Sequence, residues 1–256
     1  MTKREFHPPH IYHDDSCYFL TGSVVRGQKL FDTRVKRDLL RDILEEAIQP
    51  YGIRLYAWII LPNHYHLLLK TSDAAPIWKF VKRFHGESAI KLNKLDKVAG
   101  RTVWYQYWDR FPRSDEEFWS YFNYIHVNPI KHGYVKVSGS ELVVENGNRI
   151  PFDASPDVNQ CLLYYPHSRF HYDLDRYGEE FLINAFRQYP IPDYLAHDDF
   201  WHRKPQQVGE AVGTVVRAQT SLGIHWYKGK APQQVGESVD TKKRNPELVR
   251  GNGEKT

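Results

Sequence analysis

Residues 56–71, YAWIILPNHYHLLLKT, decide how this chain is read. Apolar residues fill 57–61, a Pro-Asn pair interrupts them, and a second run resumes at His64. Proline cannot donate to a strand ladder and asparagine favours turns, so the stretch predicts strands over 53–60 and 64–71 joined by a tight turn or bulge. Side chains alternate faces along a strand. His64 and His66 therefore project from one face and Tyr65 from the other. Two neutral imidazoles side by side are half of a divalent-metal site, and a third ligand must come from another element. By itself an H-x-H pair is more often two histidines on a solvated or hydrogen-bonded strand face.

Working outward, 16–25 (SCYFLTGSVV) is rich in β-branched and aromatic residues and predicts a strand. Asp32 and Thr33 are N-caps for a helix running to about residue 49, with Val35, Leu39, Leu40, Ile43, Leu44, Ala47 and Ile48 on one stripe. Pro50 and Gly52 end it. Downstream, Pro76 suits the first turn of a helix carrying Ile77, Phe80, Val81, Phe84, Ala89, Ile90 and Leu92, and 102–111 predicts a fourth strand. The order β-α-β-β-α-β implies an α+β, ferredoxin-like split βαβ. Two helices cover one face of a four-stranded antiparallel sheet, leaving the other face free to stay open. One more helix is announced by Ser114 and Glu117 as a capping box, with Asp115 and Glu116 at the positive end of its dipole. It should run from 115 to about 127, where Asn128-Pro129 stops or kinks it.

Composition narrows the function classes. Of 256 residues 41% are apolar and 26% charged, which excludes global disorder. Cys17 and Cys161 are too few and too far apart for a disulfide scaffold or a thiolate zinc site. No apolar run is long enough to span a bilayer, and MTKREFHPPH has no secretory h-region. A soluble, cytoplasmic protein without a membrane partner is expected. Net charge is +4, yet residues 78–113 alone carry nine Lys or Arg against three acids. Among them are Lys79, Lys82, Arg83, Lys91, Arg101, Arg110 and Arg113, interleaved with eight aromatics that include Trp104. Cations for phosphates and rings for base faces suit single-stranded nucleic acid. Taken alone, the same stretch reads more readily as a solvated amphipathic helix followed by an aromatic core strand.

Tyr124 and Asn128, in SYFNYIHVNPIKHGYV, are spaced i, i+4 and share one helical face. A phenol there could act as a nucleophile and the amide oxygen as a metal ligand. Tyr121 and His126 compete for those roles on chemical grounds. Taken together, the stretches YAWIILPNHYHLLLKT and EEFWSYFNYIHVNPIKHGYV, with CYFLTGSVVRGQKLFDTR before them and TVWYQYWDRFPRS between, resemble the HUH single-tyrosine transposases. The resemblance is greatest to the bacterial REP-associated tyrosine transposases. It covers roughly 16–136, and Tyr165-Pro166-His167-Ser168 echoes a further element of such proteins.

The resemblance implies that His64 and His66 are a metal-binding pair, that Tyr124 is the nucleophile and that Asn128 approaches the metal. Mg²⁺ or Mn²⁺ is the implied ion, with Zn²⁺ as the softer alternative. The implied reaction is endonucleolytic cleavage and strand transfer on single-stranded or hairpin DNA through a 5′-phosphotyrosine, in a nucleoid-associated monomer or homodimer. Lys79, Lys82, Arg83, Lys91, Arg101, Trp104, Arg110 and Arg113 are the expected DNA contacts. Two rivals stand beside it: a non-cleaving regulator that binds repeat DNA, and a phosphoesterase that uses water and would survive loss of Tyr124. The expected organisation is an N-terminal extension (1–15), the transposase-like domain (16–136), a C-terminal extension packing on it (137–203) and a polar tail (204–256). A hairpin is expected around 146–148, and the tail repeats PQQVGE at 205–210 and 232–237.

Overall fold

The computed structural model describes residues 15–71, 76–138, 141–144, 149–151 and 162–192. The first seven elements are β1 (Ser16–Val24), α1 (Arg34–Ile48), β2 (Arg54–Ile60), β3 (His64–Thr71), α2 (Pro76–Leu95), β4 (Trp104–Arg110) and α3 (Asp115–Lys131). The four strands pair antiparallel in the order β2-β3-β1-β4, the expected split βαβ arrangement. Thr33 caps α1, its Oγ1 accepting from the Lys36 N–H.

One face of the sheet is covered by α1 and α2. Leu40, Ile43 and Leu44 from α1, with Phe80, Phe84 and Leu92 from α2, pack on Tyr18, Leu20, Tyr65, Leu67 and Leu69. Val35 and Ile90, expected on these stripes, are instead 64% and 70% exposed. The space between sheet and helices is tight around Tyr65. A Cβ on Gly22, its partner across β1, would collide with the Tyr65 ring. The Tyr65 hydroxyl lies 2.7 Å from His85 Nε2, and the His85 ring stacks on Trp104 at 4.5 Å.

The opposite face, which the split βαβ order alone left free to stay open, is covered. It is crossed by α3 and then by α4 (Phe170–Tyr177) and α5 (Glu179–Gln188). Phe19, Ala57, Ile59 and Leu68 from the sheet meet Tyr121, Phe122 and Ile125 from α3, with Leu162, Phe170, Leu182 and Phe186 outside them. The chain preceding α4 also joins the sheet. Ile59 bridges Ser168, the Ile60 N–H donates to the His167 carbonyl and the Arg169 N–H to that of Trp58. Tyr165 Oη donates to the Ile60 carbonyl at 2.8 Å.

Helix α3 continues past Asn128-Pro129 to Lys131, four residues beyond its expected end. Proline removes one intrahelical donor and crowds the preceding turn. The missing donor is the one that would face the Ile125 carbonyl. Beyond it the His132 N–H closes on the Asn128 carbonyl at 2.9 Å and the Gly133 N–H on that of Ile130 at 3.0 Å, so the last turn holds, while Asn128 Nδ2 donates to the Tyr124 carbonyl at 2.6 Å. A small second sheet follows, β5 (Val135–Ser138), β6 (Glu141–Val144) and β7 (Arg149–Pro151), antiparallel throughout. The pairing of β6 with β7 supplies the expected hairpin, although residues 146–148 themselves lie outside the described residues. The PQQVGE repeats, the polar tail and residues 1–14 also lie outside them. Among the described residues no helix is long and apolar enough to cross a membrane.

Candidate active site

Strand alternation does what the H-x-H spacing predicts. Tyr65 enters the helix-side core while His64 and His66 face α3, both buried, with rings 5.0 Å apart. His66 Nδ1 lies 2.8 Å from the hydroxyl of Thr21, its register partner on β1. His64 Nδ1 lies 2.8 Å from Asn63 Oδ1, in the turn that starts β3. Partners at Nδ1 fix ring orientation, and donation from Nδ1–H leaves the Nε2 lone pair of each ring to bind an electrophile.

The Tyr124 ring packs edge-on against His66, centroids 5.1 Å apart, with Phe19 filling the angle between them at 5.4 Å from His66 and 5.9 Å from Tyr124. The structure thus brings together three of the four residues implied for the reaction centre. The fourth, Asn128, sits one turn along α3 from Tyr124 and is fully buried; its Nδ2 is used on the Tyr124 carbonyl, while Oδ1 has no hydrogen bond. Leaving a buried carbonyl oxygen unsatisfied costs roughly 1–3 kcal/mol. Such an atom is what a cation ligand looks like without its cation. Among the described residues no three His, Cys, Asp or Glu cluster as a metal site. The two competitors are engaged elsewhere. Tyr121 stacks on Phe19 and donates to Glu117, and His126 Nε2 lies 3.1 Å from Asp173 Oδ2 towards α4.

Sequence reasoning missed two neighbours, both beyond Asn128-Pro129, where the helix was expected to stop or kink. Lys131 Nζ reaches Tyr124 Oη at 3.1 Å and lies 4.7 Å from the ring centroid. The His132 ring packs on His64 at 5.0 Å. Seven residues are nearly two helical turns, so Lys131 belongs to the stripe of Tyr124 and Asn128 once α3 is allowed to continue. In this arrangement the phenol is covered, with Tyr124 only 1% exposed.

The expected DNA contacts divide. Trp104 must be corrected: it is buried in the helix-side core between His85 and Phe31, its indole N–H donating to Ser88 Oγ at 2.9 Å, so its ring has no face to offer a base. Arg101 is tied into a loop by Asn93 and Asp96. Lys79, Lys82, Arg83 and Lys91 lie on α2, on the side of the sheet away from Tyr124; Arg83 pairs with Glu87 and Lys91 with Glu46. Arg110 is placed differently. It sits opposite Phe19 in the β1–β4 register, on the Tyr124 side of the sheet, as does Trp108 opposite Thr21. Arg113 precedes the α3 cap, its N–H donating to Glu117 Oε2.

Residues 21–128, which contain this whole arrangement except the last turn of α3, match the family described as Transposase IS200 like. Over that segment the chain is similar to the IS200-like transposases. A Haemophilus influenzae protein that bears the REP-associated tyrosine transposase name is 25% identical over 107 residues, 38% of this chain and 61% of that protein. The REP-associated tyrosine transposase of Escherichia coli is 24% identical over 125 residues, 46% of this chain and 68% of that one. The chain thus spans about three fifths of the length of the first of these relatives. Among solved structures, a REP-associated tyrosine transposase bound to a REP hairpin aligns with a TM-score of 0.47 at 20% identity, over 67% of this chain and 87% of that one.

Proposed function

We propose that this chain is a transposase-type DNA strand transferase that cuts and rejoins single-stranded, hairpin-forming repeat DNA through a covalent bond to Tyr124. The observation that carries the reading is the packing of the Tyr124 ring against a same-face histidine pair, 5.1 Å from His66, within the segment that matches the IS200-like family. The donor set fits a hard or borderline divalent cation: two imidazoles oriented through Nδ1 and one buried amide oxygen without a hydrogen bond. His64, His66 and Asn128 would hold Mg²⁺ or Mn²⁺, which supplies Lewis-acid polarisation of a phosphate oxygen when bound.

The chain's own residues do the rest. Tyr124 Oη attacks phosphorus; the Oη–P bond forms as the P–O3′ bond breaks, leaving a 5′-phosphotyrosine and a 3′-hydroxyl. A phenol suits this because its pKa near 10 makes the oxyanion less costly than an alkoxide, and for the same reason it departs readily when another 3′-hydroxyl attacks. Phe19 and His66 hold the ring, and Thr21 holds His66. The phosphodiester energy is kept in the linkage, so no nucleotide hydrolysis is required.

The test is a labelled hairpin oligonucleotide, taken from repeats flanking the gene, incubated with protein and Mn²⁺ and run on a denaturing gel. A covalent protein–DNA band with wild type, absent in Tyr124→Phe and His64→Ala, is expected. Cleavage that persists in Tyr124→Phe would replace the reading with a water-using phosphoesterase. The coverage of the phenol favours one other reading, a repeat-binding regulator that no longer cuts, and retardation on a native gel without cleavage by any variant would select it.

A further inference from the structure

The phosphotyrosine reading leaves the ammonium beside the phenol without a task. We propose that Lys131 is a catalytic residue of this site, stabilising the negative charge that gathers on Tyr124 Oη both as the tyrosine attacks and as it leaves; the inference rests on that reading.

Three observations support it. Lys131 Nζ is within hydrogen-bond distance of Tyr124 Oη, at 3.1 Å, and brings an ammonium to that oxygen. The same ammonium lies 4.7 Å from the Tyr124 ring centroid, and the His66 ring packs on that ring at 5.1 Å and 67°. The position is also built at some cost. Asn128 spends its amide nitrogen on the Tyr124 carbonyl, and His132 and Gly133 close the turn beyond Pro129, Gly133 at φ +70°. Without that repair α3 would end near residue 127, and a lysine seven residues after Tyr124 would not share its face.

The electrostatic argument has a definite form. During attack the phenol loses its proton to solvent and the departing 3′-oxygen takes one up, so no proton is consumed overall. In between, negative charge is divided among Oη, the phosphoryl oxygens and O3′. A cation already in contact with Oη, in a site shielded from water, is worth far more than the same charge in solution because it needs no reorganisation when the charge appears. Rejoining passes through the same transition state in reverse, with phenolate as the leaving group. Removing the charge must therefore slow cleavage and rejoining by the same factor and leave their ratio unchanged. A lysine that only held DNA phosphate would instead change affinity, and one that only packed on the ring would be replaced by any side chain of its shape.

The experiment uses the full-length protein with Mn²⁺ and the flanking-repeat hairpin, comparing wild type, Lys131→Met and Lys131→Arg. Methionine keeps an unbranched apolar stem and removes the charge; arginine keeps the charge. Single-turnover adduct formation, rejoining from isolated adduct and hairpin Kd are measured for each. In Lys131→Met both rates should fall about a hundredfold, the scale of losing one transition-state charge partner. Kd should stay within about twofold, and arginine should recover most of the rate. Wild-type rates in Lys131→Met, or a loss fully accounted for by Kd, would overturn the inference while leaving the phosphotyrosine reading intact. Absence of adduct in wild type would overturn both.

Discussion

The two faces of the sheet are built from the same strands and obey different rules. On the helix side, α1 and α2 seal an apolar core in which the polar atoms are paired: the Tyr65 hydroxyl with His85, and the Trp104 indole with Ser88. On the α3 side, His64, His66, Asn123, His126 and Asn128 are buried among aromatic rings, and Asn128 Oδ1 has no hydrogen bond. Burying polar groups is unfavourable unless each is satisfied. One face therefore spends its residues on stability, and the other buries polar groups at a cost in stability. The side-chain period of two lets β3 serve both faces at once, with Tyr65 packing and the histidines on either side of it oriented for chemistry.

The sharpest way to break the comparison is to remove a single oxygen. Tyr124→Phe should abolish covalent capture of DNA entirely, yet lower stability in urea unfolding by about 1 kcal/mol, the scale of losing the hydrogen bond from Lys131. Gly22→Ala tests the helix side. Its Cβ has to displace the Tyr65 ring, so a loss of about 3 kcal/mol in urea unfolding is expected, the upper range of overpacking. A variant as stable as wild type would mean that the packing around Tyr65 is looser than described.

Acid should act next, through two histidines held neutral. Burial lowers His85 to about 3. Burial and then the Arg37 charge lower His167 to about 4, where its Nδ1 accepts from Arg37 Nε. Because the unfolded chain protonates these rings near 6.5, it binds more protons than the native state below that pH. Their contribution is fully present above about pH 6.5 and declines as pH falls, levelling off near 4 for His167 and near 3 for His85. At about 1.4 kcal/mol per pH unit the loss should be on the order of 3 kcal/mol for His167 and about 5 kcal/mol for His85, and His167→Gln should flatten the upper part of the curve. The smallest effect expected is that of Trp104→Phe. Loss of the indole donor should cost about 1 kcal/mol and leave hairpin affinity unchanged, whereas Arg110→Ala should weaken binding in a salt-dependent manner.

Much of this was legible in the sequence because it is local. Strand alternation placed His64 and His66, and the capping box placed the start of α3. Ser114 Oγ accepts from the Glu117 N–H as expected, although Glu117 reaches back to the Arg113 N–H rather than to that of Ser114. What escaped depends on contacts between distant segments. The burial of Trp104 comes from its packing against Phe31 and His85, which periodicity does not reveal. The second face is covered by α3 and by residues more than 40 positions beyond its start; the sequence suggested packing by such an extension but not the contacts that it makes. Lys131 was hidden because Asn128-Pro129 reads as a stop or a kink, whereas backbone bonds beyond Pro129, from His132 to Asn128 and from Gly133 to Ile130, carry the turn on.

The strip around Tyr165–Arg169 has a consequence for how this protein can be divided. An outer strand carries a row of unsatisfied amides and carbonyls, which is a template for any other extended chain. Here β2 spends those groups on the protein's own later residues, at Trp58, Ile59 and Ile60. The segment matching the IS200-like family ends at residue 128, well before that strip. A fragment cut at the family boundary would therefore keep Tyr124 and both histidines and still expose β2 to its neighbours. It should self-associate in solution, while a fragment extended to residue 192 should not.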